Sequence, residues 1–182
     1  MMSQGHKYRL IGLTGPNGAG KGEAAEILKA QGYDDFSLSD VIRDKLQEEG
    51  KAASRDNMIE KGNALRREFG PDILARLIMD RVRGKAVIDS IRNASEVEYL
   101  RARGGFVLIA VDAPVETRFE RVRARGRDES AQTLEQFVRK EAEEKGGDAG
   151  AQQLDKVMAM ADITLINDGS LDDLRRKLEE LL

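Results

Sequence analysis

Near the start of the chain, the run Gly15-Pro16-Asn17-Gly18-Ala19-Gly20-Lys21-Gly22 restricts what this sequence can fold into more than any other feature. It follows an apolar stretch, Tyr8 to Thr14, that reads as a buried parallel strand, and it leads into a helix-like segment, Glu23 to Ala30. The spacing of glycine, four residues, glycine and lysine is that of a phosphate-binding loop. Its glycines let the backbone take conformations that a Cβ forbids, so successive N–H groups turn inward around an anion. The helix that follows adds the positive end of its dipole, and Lys21 adds a point charge for the outer phosphates. The expected phosphate-contacting set is Gly15, Asn17, Gly18, Ala19, Gly20, Lys21, Gly22 and Glu23. A plain Gly-rich turn is the competing reading, and the order of strand, loop, lysine and helix disfavours it.

Where such loops place Ser or Thr after the lysine, to give Mg²⁺ a hydroxyl, this chain has Gly22. The ion is then one protein ligand short, and water takes the place, which Mg²⁺ tolerates. Glu23 suits a helix start but would repel phosphate if it faced the site, so it is expected to point outward.

The chain's 182 residues suffice for one α/β domain. With a net charge of −3 and only 4% aromatic residues, it has neither the basic excess nor the stacking surface of a nucleic-acid binder. It has no cysteine, which excludes thiol catalysis, disulfides and Cys-type zinc sites. His6, the only histidine, lies in a polar leader and rules out a His-based triad. No run reaches transmembrane length, and Met1 to Lys7 lacks the apolar core of a signal peptide; a cytoplasmic protein with no membrane partner is the expectation.

Further strands are expected at Tyr33 to Leu38, Ala86 to Asp89, Phe106 to Asp112 and Ile163 to Ile166, with helices between them. Expected caps are Ser39, Asp56, Asn93 with Glu96, Thr133 with Gln136, and Ser170, and Pro71 should open a helix that runs through Val82. Phe69 and Val138 are assigned to buried helical stripes. Alternation of strand and helix means a parallel sheet covered on both faces, with ligands at the carboxyl ends of its strands. The loop, Asp89, Asp112 and Asn167 all fall at that edge.

Phosphoryl transfer asks for positioning and positive charge more than for a covalent nucleophile. Asp89 ends an apolar strand as a Walker B aspartate does and could hold Mg²⁺ directly or through water; a turn-forming Asp is the alternative. After the fourth strand come Arg118, Arg121, Arg123, Arg125 and Arg127. On a helix, Arg118, Arg121 and Arg125 fall within about 60° of one another. Three converging guanidinium groups suit a moving phosphoryl group, and a solvated, salt-bridged face is the alternative. Arg43 and Arg92 follow other strand ends, where together they could clamp an acceptor phosphate.

These motifs resemble those of adenylate kinases and their nucleoside monophosphate kinase relatives. The Gly-Ala-Gly-Lys-Gly loop is similar, although those usually continue with Thr where this chain has Glu23. Ser37-Leu38-Ser39-Asp40-Val41-Ile42-Arg43 resembles the start of their monophosphate-binding helices, and Asp89-Ser90-Ile91-Arg92 resembles their Asp-Gly-Phe-Pro-Arg turn. Glu120 to Arg125 resembles their lid entry with its two catalytic arginines. From Leu10 to the C-terminus the chain looks like archaeal adenylate-kinase-related P-loop proteins grouped near dephospho-coenzyme A kinase.

The resemblance implies a three-layer α/β/α P-loop fold with a five-stranded parallel sheet in the order 2-3-1-4-5, in a single domain. Residues 8–38, 84–125 and 151–182 would form its core, residues 39–83 a helical acceptor flap with Asn63, Arg66 and Arg67 as possible contacts, and residues 126–150 a helical lid carrying Arg139. It implies ATP and Mg²⁺, with Lys21, Arg121, Arg125 and Asp89 catalytic, Asp40, Arg43 and Arg92 on the acceptor, and Asn167 and Gly169 beside the adenine. The acceptor would be a small phosphorylated molecule, first a nucleoside or deoxynucleoside monophosphate. The rivals are dephospho-coenzyme A kinase-like transfer to a hydroxyl, with Asp40 as base, and a nucleotide-binding regulator with little turnover. A GTPase switch is disfavoured, because no Asn-Lys-x-Asp signature occurs.

Overall fold

The computed structural model describes residues 7–126, 132–145 and 152–181. The expected glycine joint at residues 146–150 and Arg127 lie outside them.

Five parallel strands make one sheet: β1 (Leu10–Thr14), β2 (Asp34–Ser37), β3 (Ala86–Asp89), β4 (Phe106–Asp112) and β5 (Ile163–Ile166). Their order is β2-β3-β1-β4-β5, as expected. The sheet is buried on both faces where it must be. β1 is wholly buried between β3 and β4, which is why it reads as an unbroken apolar run. The edge strands are half-exposed, and β2 carries the charges of Asp34 and Asp35, which discourage further pairing.

Nine helices are seen among the described residues. α1 (Lys21–Ala30) and α9 (Leu171–Glu179) cover one face, where Ile11, Leu13, Leu28, Ile109 and Leu174 share a core. On the other face lie α2 (Leu38–Glu48), α3 (Arg55–Phe69), α4 (Ile73–Met79), α5 (Ala94–Arg101) and α8 (Leu154–Ala159), packed around Leu38, Leu46, Leu74, Ile88 and Val97. α6 (Val115–Arg125) and α7 (Leu134–Lys145) form a small satellite cluster through Val122, Phe119 and Phe137.

Several local expectations shift by a residue or two. α2 is capped by Ser37 rather than Ser39, with Ser37 Oγ accepting from the Ser39 N–H at 3.3 Å. Leu38 is 1% exposed and must turn straight into the core, so the last strand residue becomes the cap and no loop intervenes. Ser54, not Asp56, caps α3, leaving Asp56 in the first turn. Pro71 sits in the turn before α4, and that helix ends at Met79, short of the buried Val82. Phe69 and Val138 are exposed; on α7 the buried seat belongs to Phe137, one residue earlier. The capping boxes of Asn93 with Glu96 and of Thr133 with Gln136 form as expected. Ser170 caps α9 with Asp173 as its box partner.

Candidate active site

The sequence from β1 into α1 builds a cradle in which side chains have no room. Gly15 has φ +142° and Gly20 has φ +105°, both in the region that favours glycine. A Cβ on Gly15 would run into the Val111 carbonyl, and one on Gly20 into the Asn167 amide. Gly20 is also the left-handed residue from which α1 starts, with no side-chain cap on the helix. The first-turn N–H groups are therefore left for an anion rather than for a Ser or Asp oxygen. Such uncapped N–H groups in a side-chain-free turn suit a phosphate chain on chemical grounds. Gly22 differs from the others: it is exposed and nothing lies within 4 Å of where a Cβ would stand. Space does not dictate the glycine there, so the missing hydroxyl is a chemical feature of the site.

Lys21 is buried, and its Nζ donates to the carbonyls of Gly15 at 2.9 Å and Pro16 at 3.0 Å. Arg92, brought in by the turn after β3, donates from Nη1 to the same Gly15 oxygen at 2.9 Å. The two cations therefore stand within two hydrogen-bond lengths of each other. Between them in sequence, Ser90 holds φ +64°, uncommon for a residue with a side chain, and its N–H bonds back to the Asp89 carboxylate. β3 leaves Asp89 level with Ser37, the last residue of the neighbouring strand.

Lys21, Asp89, Arg92, Ser39, Arg43 and Arg125 all line one cleft of about 690 Å³, whose walls include the apolar Ile42, Met58 and Ile59. Arg121 does not share it. With Arg125, Asn167 and Gly169 it lines an adjoining hollow of about 170 Å³ on the other side of the loop. Arg121 donates to the Asn167 carbonyl at 3.0 Å and lies 3.5 Å from the carbonyls of Gly18 and Ala19. Asn167 is buried and donates from Nδ2 to the Ala19 carbonyl at 2.9 Å, while its N–H bonds Asp112. It thus ties the phosphate-binding loop to the ends of β4 and β5.

Arg118, expected to converge with Arg121 and Arg125, faces elsewhere. It is buried against Glu141 of α7 in a two-pronged ion pair, with Nε also donating to the Ala113 carbonyl at 2.9 Å. Its Nη1 reaches the Asn17 carbonyl at 3.4 Å, so it links α7 to the loop. Glu23 points sideways and pairs with Arg125. Asp40 is exposed and paired with Arg43, and it is not among the cleft-lining residues. Arg139 is exposed on α7 and stands outside the cleft too.

Among the described residues, no three His, Cys, Asp or Glu side chains cluster closely enough to hold a metal alone. Asp89 remains as a cleft-lining carboxylate, in keeping with an ion held by one or two carboxylates, phosphate oxygens and water. Negative charge gathers beside it. The carboxyl of Asp35 is pushed above the ordinary range, first by loss of solvent around it and then by Asp89, with Glu26 and Asp40 acting in the same sense and Lys29 opposing.

Of the flap contacts expected from the sequence, Arg66 lines the cleft while Asn63 and Arg67 do not, and Gln152 lines it without having been expected. Arg66 on α3 is 2% exposed and paired with the fully buried Glu96, and Gln152 precedes α8; both line the cleft. Gly62, one turn before Arg66 on the same face, leaves room for its guanidinium, and a Cβ there would come 3.4 Å from Nη1. Gln152 carried no signal in the sequence.

Among the described residues, no helix is long and apolar enough to cross a membrane. Residues 11–145 match the AAA domain family. The chain is 32% identical over 176 residues to a UPF0200 protein of Sulfurisphaera tokodaii, covering 96% of each. It is 33% identical over 179 residues to UPF0200 protein MJ1399 of Methanocaldococcus jannaschii, covering 95% of this chain and 88% of that one. Among solved structures it is similar to TT1252 from Thermus thermophilus, at 26% identity and a TM-score of 0.61 over 97% of this chain and 96% of that one. A shikimate kinase from Bacteroides thetaiotaomicron shares its fold, at 15% identity and a TM-score of 0.66 over 94% of this chain and 97% of that one. The chain thus belongs to the UPF0200 family, on an AAA-domain match and with a fold of the P-loop kinase type.

Proposed function

We propose that this protein transfers the terminal phosphoryl group of ATP to a small phosphorylated acceptor, a nucleoside or deoxynucleoside monophosphate in the first instance. The observation that carries the reading is the shared Gly15 carbonyl. Lys21, on the donor side, and Arg92, on the acceptor side, both bond it, so two phosphates held by these cations would meet end to end. In the transfer, an oxygen of the acceptor phosphate bonds to the terminal phosphorus while the bond from that phosphorus to its bridging oxygen breaks, leaving ADP. The acceptor oxygen is already anionic, so no strong base is needed, and the work is positioning and charge stabilisation.

The residues divide accordingly. The backbone from Gly15 to Gly22 would cradle the donor phosphates, with Lys21 on the outer ones. Arg43 and Arg92 would hold the acceptor phosphate. Arg125, which lines both the cleft and the adjoining hollow, would reach the moving group on leaving Glu23. Arg121, Asn167 and Gly169 would border the adenosine end. Asp89 would hold Mg²⁺, which shields charge between the two phosphate groups when bound. The helices of residues 39–83 would serve as acceptor flap and α7 as part of the lid. Transfer to a hydroxyl has less support, because Asp40, its candidate base, faces solvent.

The test is a coupled assay of ADP release with Mg²⁺ and ATP across a panel of monophosphates. Release that rises at least about tenfold over the acceptor-free rate with one of them is the expected result. Tight ATP binding with no acceptor-dependent release would make the protein a nucleotide-binding regulator instead.

A further inference from the structure

The deep wall of the cleft carries two polar atoms that nothing in the described protein satisfies. The Arg66 side chain is 1% exposed, and its Nε and Nη2 reach Glu96 Oε1 at 2.9 Å and 2.8 Å. Its Nη1 has no hydrogen-bond partner. Gln152 likewise buries an Oε1 with no partner on the same cleft. Both residues are anchored to one piece of backbone. Glu96, which holds Arg66, accepts from the Arg92 N–H at 2.9 Å, and Gln153, next to Gln152, donates to the Arg92 carbonyl at 2.7 Å. A buried donor and a buried acceptor left over beside the same strand end ask for a ligand that supplies the complementary pair.

Charge narrows what that ligand is. The positive charge of Arg66 is already matched by Glu96, whose side chain is 0% exposed. A carboxylate or phosphate brought to Nη1 would also face the Glu96 carboxylate, which already matches the Arg66 charge. A spare N–H on a neutral ion pair suits an uncharged acceptor atom, a carbonyl oxygen or ring nitrogen, and Gln152 Oε1 suits an N–H. Ile42, Met58 and Ile59 supply apolar walls for a flat group between them.

We propose that Arg66 and Gln152 determine acceptor specificity by reading an uncharged heterocyclic or amide-like edge at the end of the acceptor remote from its phosphate. The Arg66–Glu96 pairing turns away acceptors with a second anionic group at that end. This rests on the phosphorylated-acceptor reading above, in which Arg43 and Arg92 take the charged end.

The experiment is calorimetric titration of the whole protein with the common nucleoside monophosphates, with ribose phosphate, which lacks the far group, and with phosphogluconate, whose far group is a carboxylate. ADP release is measured for the same compounds. At least one nucleotide should bind about tenfold or more tightly than ribose phosphate. Gln152→Leu and Arg66→Lys should each shrink that ratio to about threefold or less. Glu96→Gln, which leaves the Arg66 charge unmatched, should improve phosphogluconate binding relative to the nucleotides. Thermal unfolding reports whether each variant folds, and Gln152→Leu disturbs no ion pair, so it decides the matter if the Arg66 variant does not fold. A nucleotide preference unchanged in Gln152→Leu, or ribose phosphate or phosphogluconate binding as tightly as any nucleotide, overturns the assignment. Nucleotide preference that is lost in the variants, without ADP release for any acceptor, removes the transfer reading and leaves this recognition standing. Transfer to ribose phosphate as efficient as to any nucleotide does the reverse.

Discussion

Lys21 and Arg92 illustrate how much one backbone oxygen organises. Both donate to the Gly15 carbonyl, and each is fixed by a different strand end, β1 for the lysine and β3 for the arginine. Removing either should therefore separate the two halves of the site kinetically. Lys21→Ala should cut kcat by about a hundredfold or more, roughly 3 kcal/mol of transition-state stabilisation, because a charge-assisted contact in a preorganised site is lost. Near-normal turnover in that variant would remove Lys21 from the mechanism. Arg92→Ala should instead raise the acceptor KM by at least about tenfold while the ATP KM moves less, since on the proposed reading its guanidinium holds the acceptor phosphate. Equal rises in both constants would place Arg92 on the donor. Glu23 shows where residue-level reading ran short. Repulsion from phosphate predicted that it would turn away, yet its direction is set by Arg125, a partner a hundred residues on at the end of α6 that only the fold brings close.

At the scale of elements, what the sequence made legible was what depends on neighbours in the chain. β1, the loop and α1 follow from apolar run, glycines and lysine, and the sheet order follows from the resemblance. Caps were legible where the whole box was local, as with Asn93 and Glu96, and displaced where burial of one residue decided the turn, as with Leu38 and Ser37. That displacement is testable. Ser37→Ala should destabilise the fold by about 1 kcal/mol, the usual worth of a cap, while Ser39→Ala should leave the chemical denaturation midpoint almost unmoved. The reverse order would restore Ser39 as the cap. Long-range ion pairs were not legible, because helical phase fixes which way Arg118 faces but not what waits there. The guanidinium groups of Arg118 and Arg55 stand 5.7 Å and 5.6 Å from the ring centre of Phe137 of α7, and Lys140 pairs with Asp56. α7 therefore spans from α6 to α3. Arg118→Met breaks the buried two-pronged pair with Glu141 and should cost about 3 kcal/mol in stability. Adding Glu141→Leu should recover much of that loss, which urea unfolding of the single and double variants would measure; a double variant no better than the single would mean that Arg118 acts through its carbonyl contacts instead.

The molecule as a whole carries a net charge of −3, yet its central cleft is lined by Lys21, Arg43, Arg92 and Arg125 and by one carboxylate, Asp89, with Arg43 and Arg125 paired to Asp40 and Glu23. Field lines from those cations are concentrated by the low-dielectric walls, so an anionic ligand should be drawn to the cleft although the surface at large repels it. A compound that joins both substrates covalently, an adenosine polyphosphate ending in a second nucleoside, tests this arrangement more stringently than either substrate alone. It would engage the phosphate-binding loop and the acceptor cations at once, and the second contact would be intramolecular. Its affinity should exceed that of ATP or of the best monophosphate by at least about a hundredfold, and should fall as salt rises. At a concentration about a hundred times its dissociation constant it should add roughly 2.7 kcal/mol to the stability of the fold, visible as a raised melting temperature. Lys21→Ala and Arg92→Ala should each weaken it, because each removes one end of the grip. A linked compound that binds no better than ATP, in the intact protein and at low salt, would mean that the two cations around Gly15 do not serve two ligands and that the cleft holds a single nucleotide.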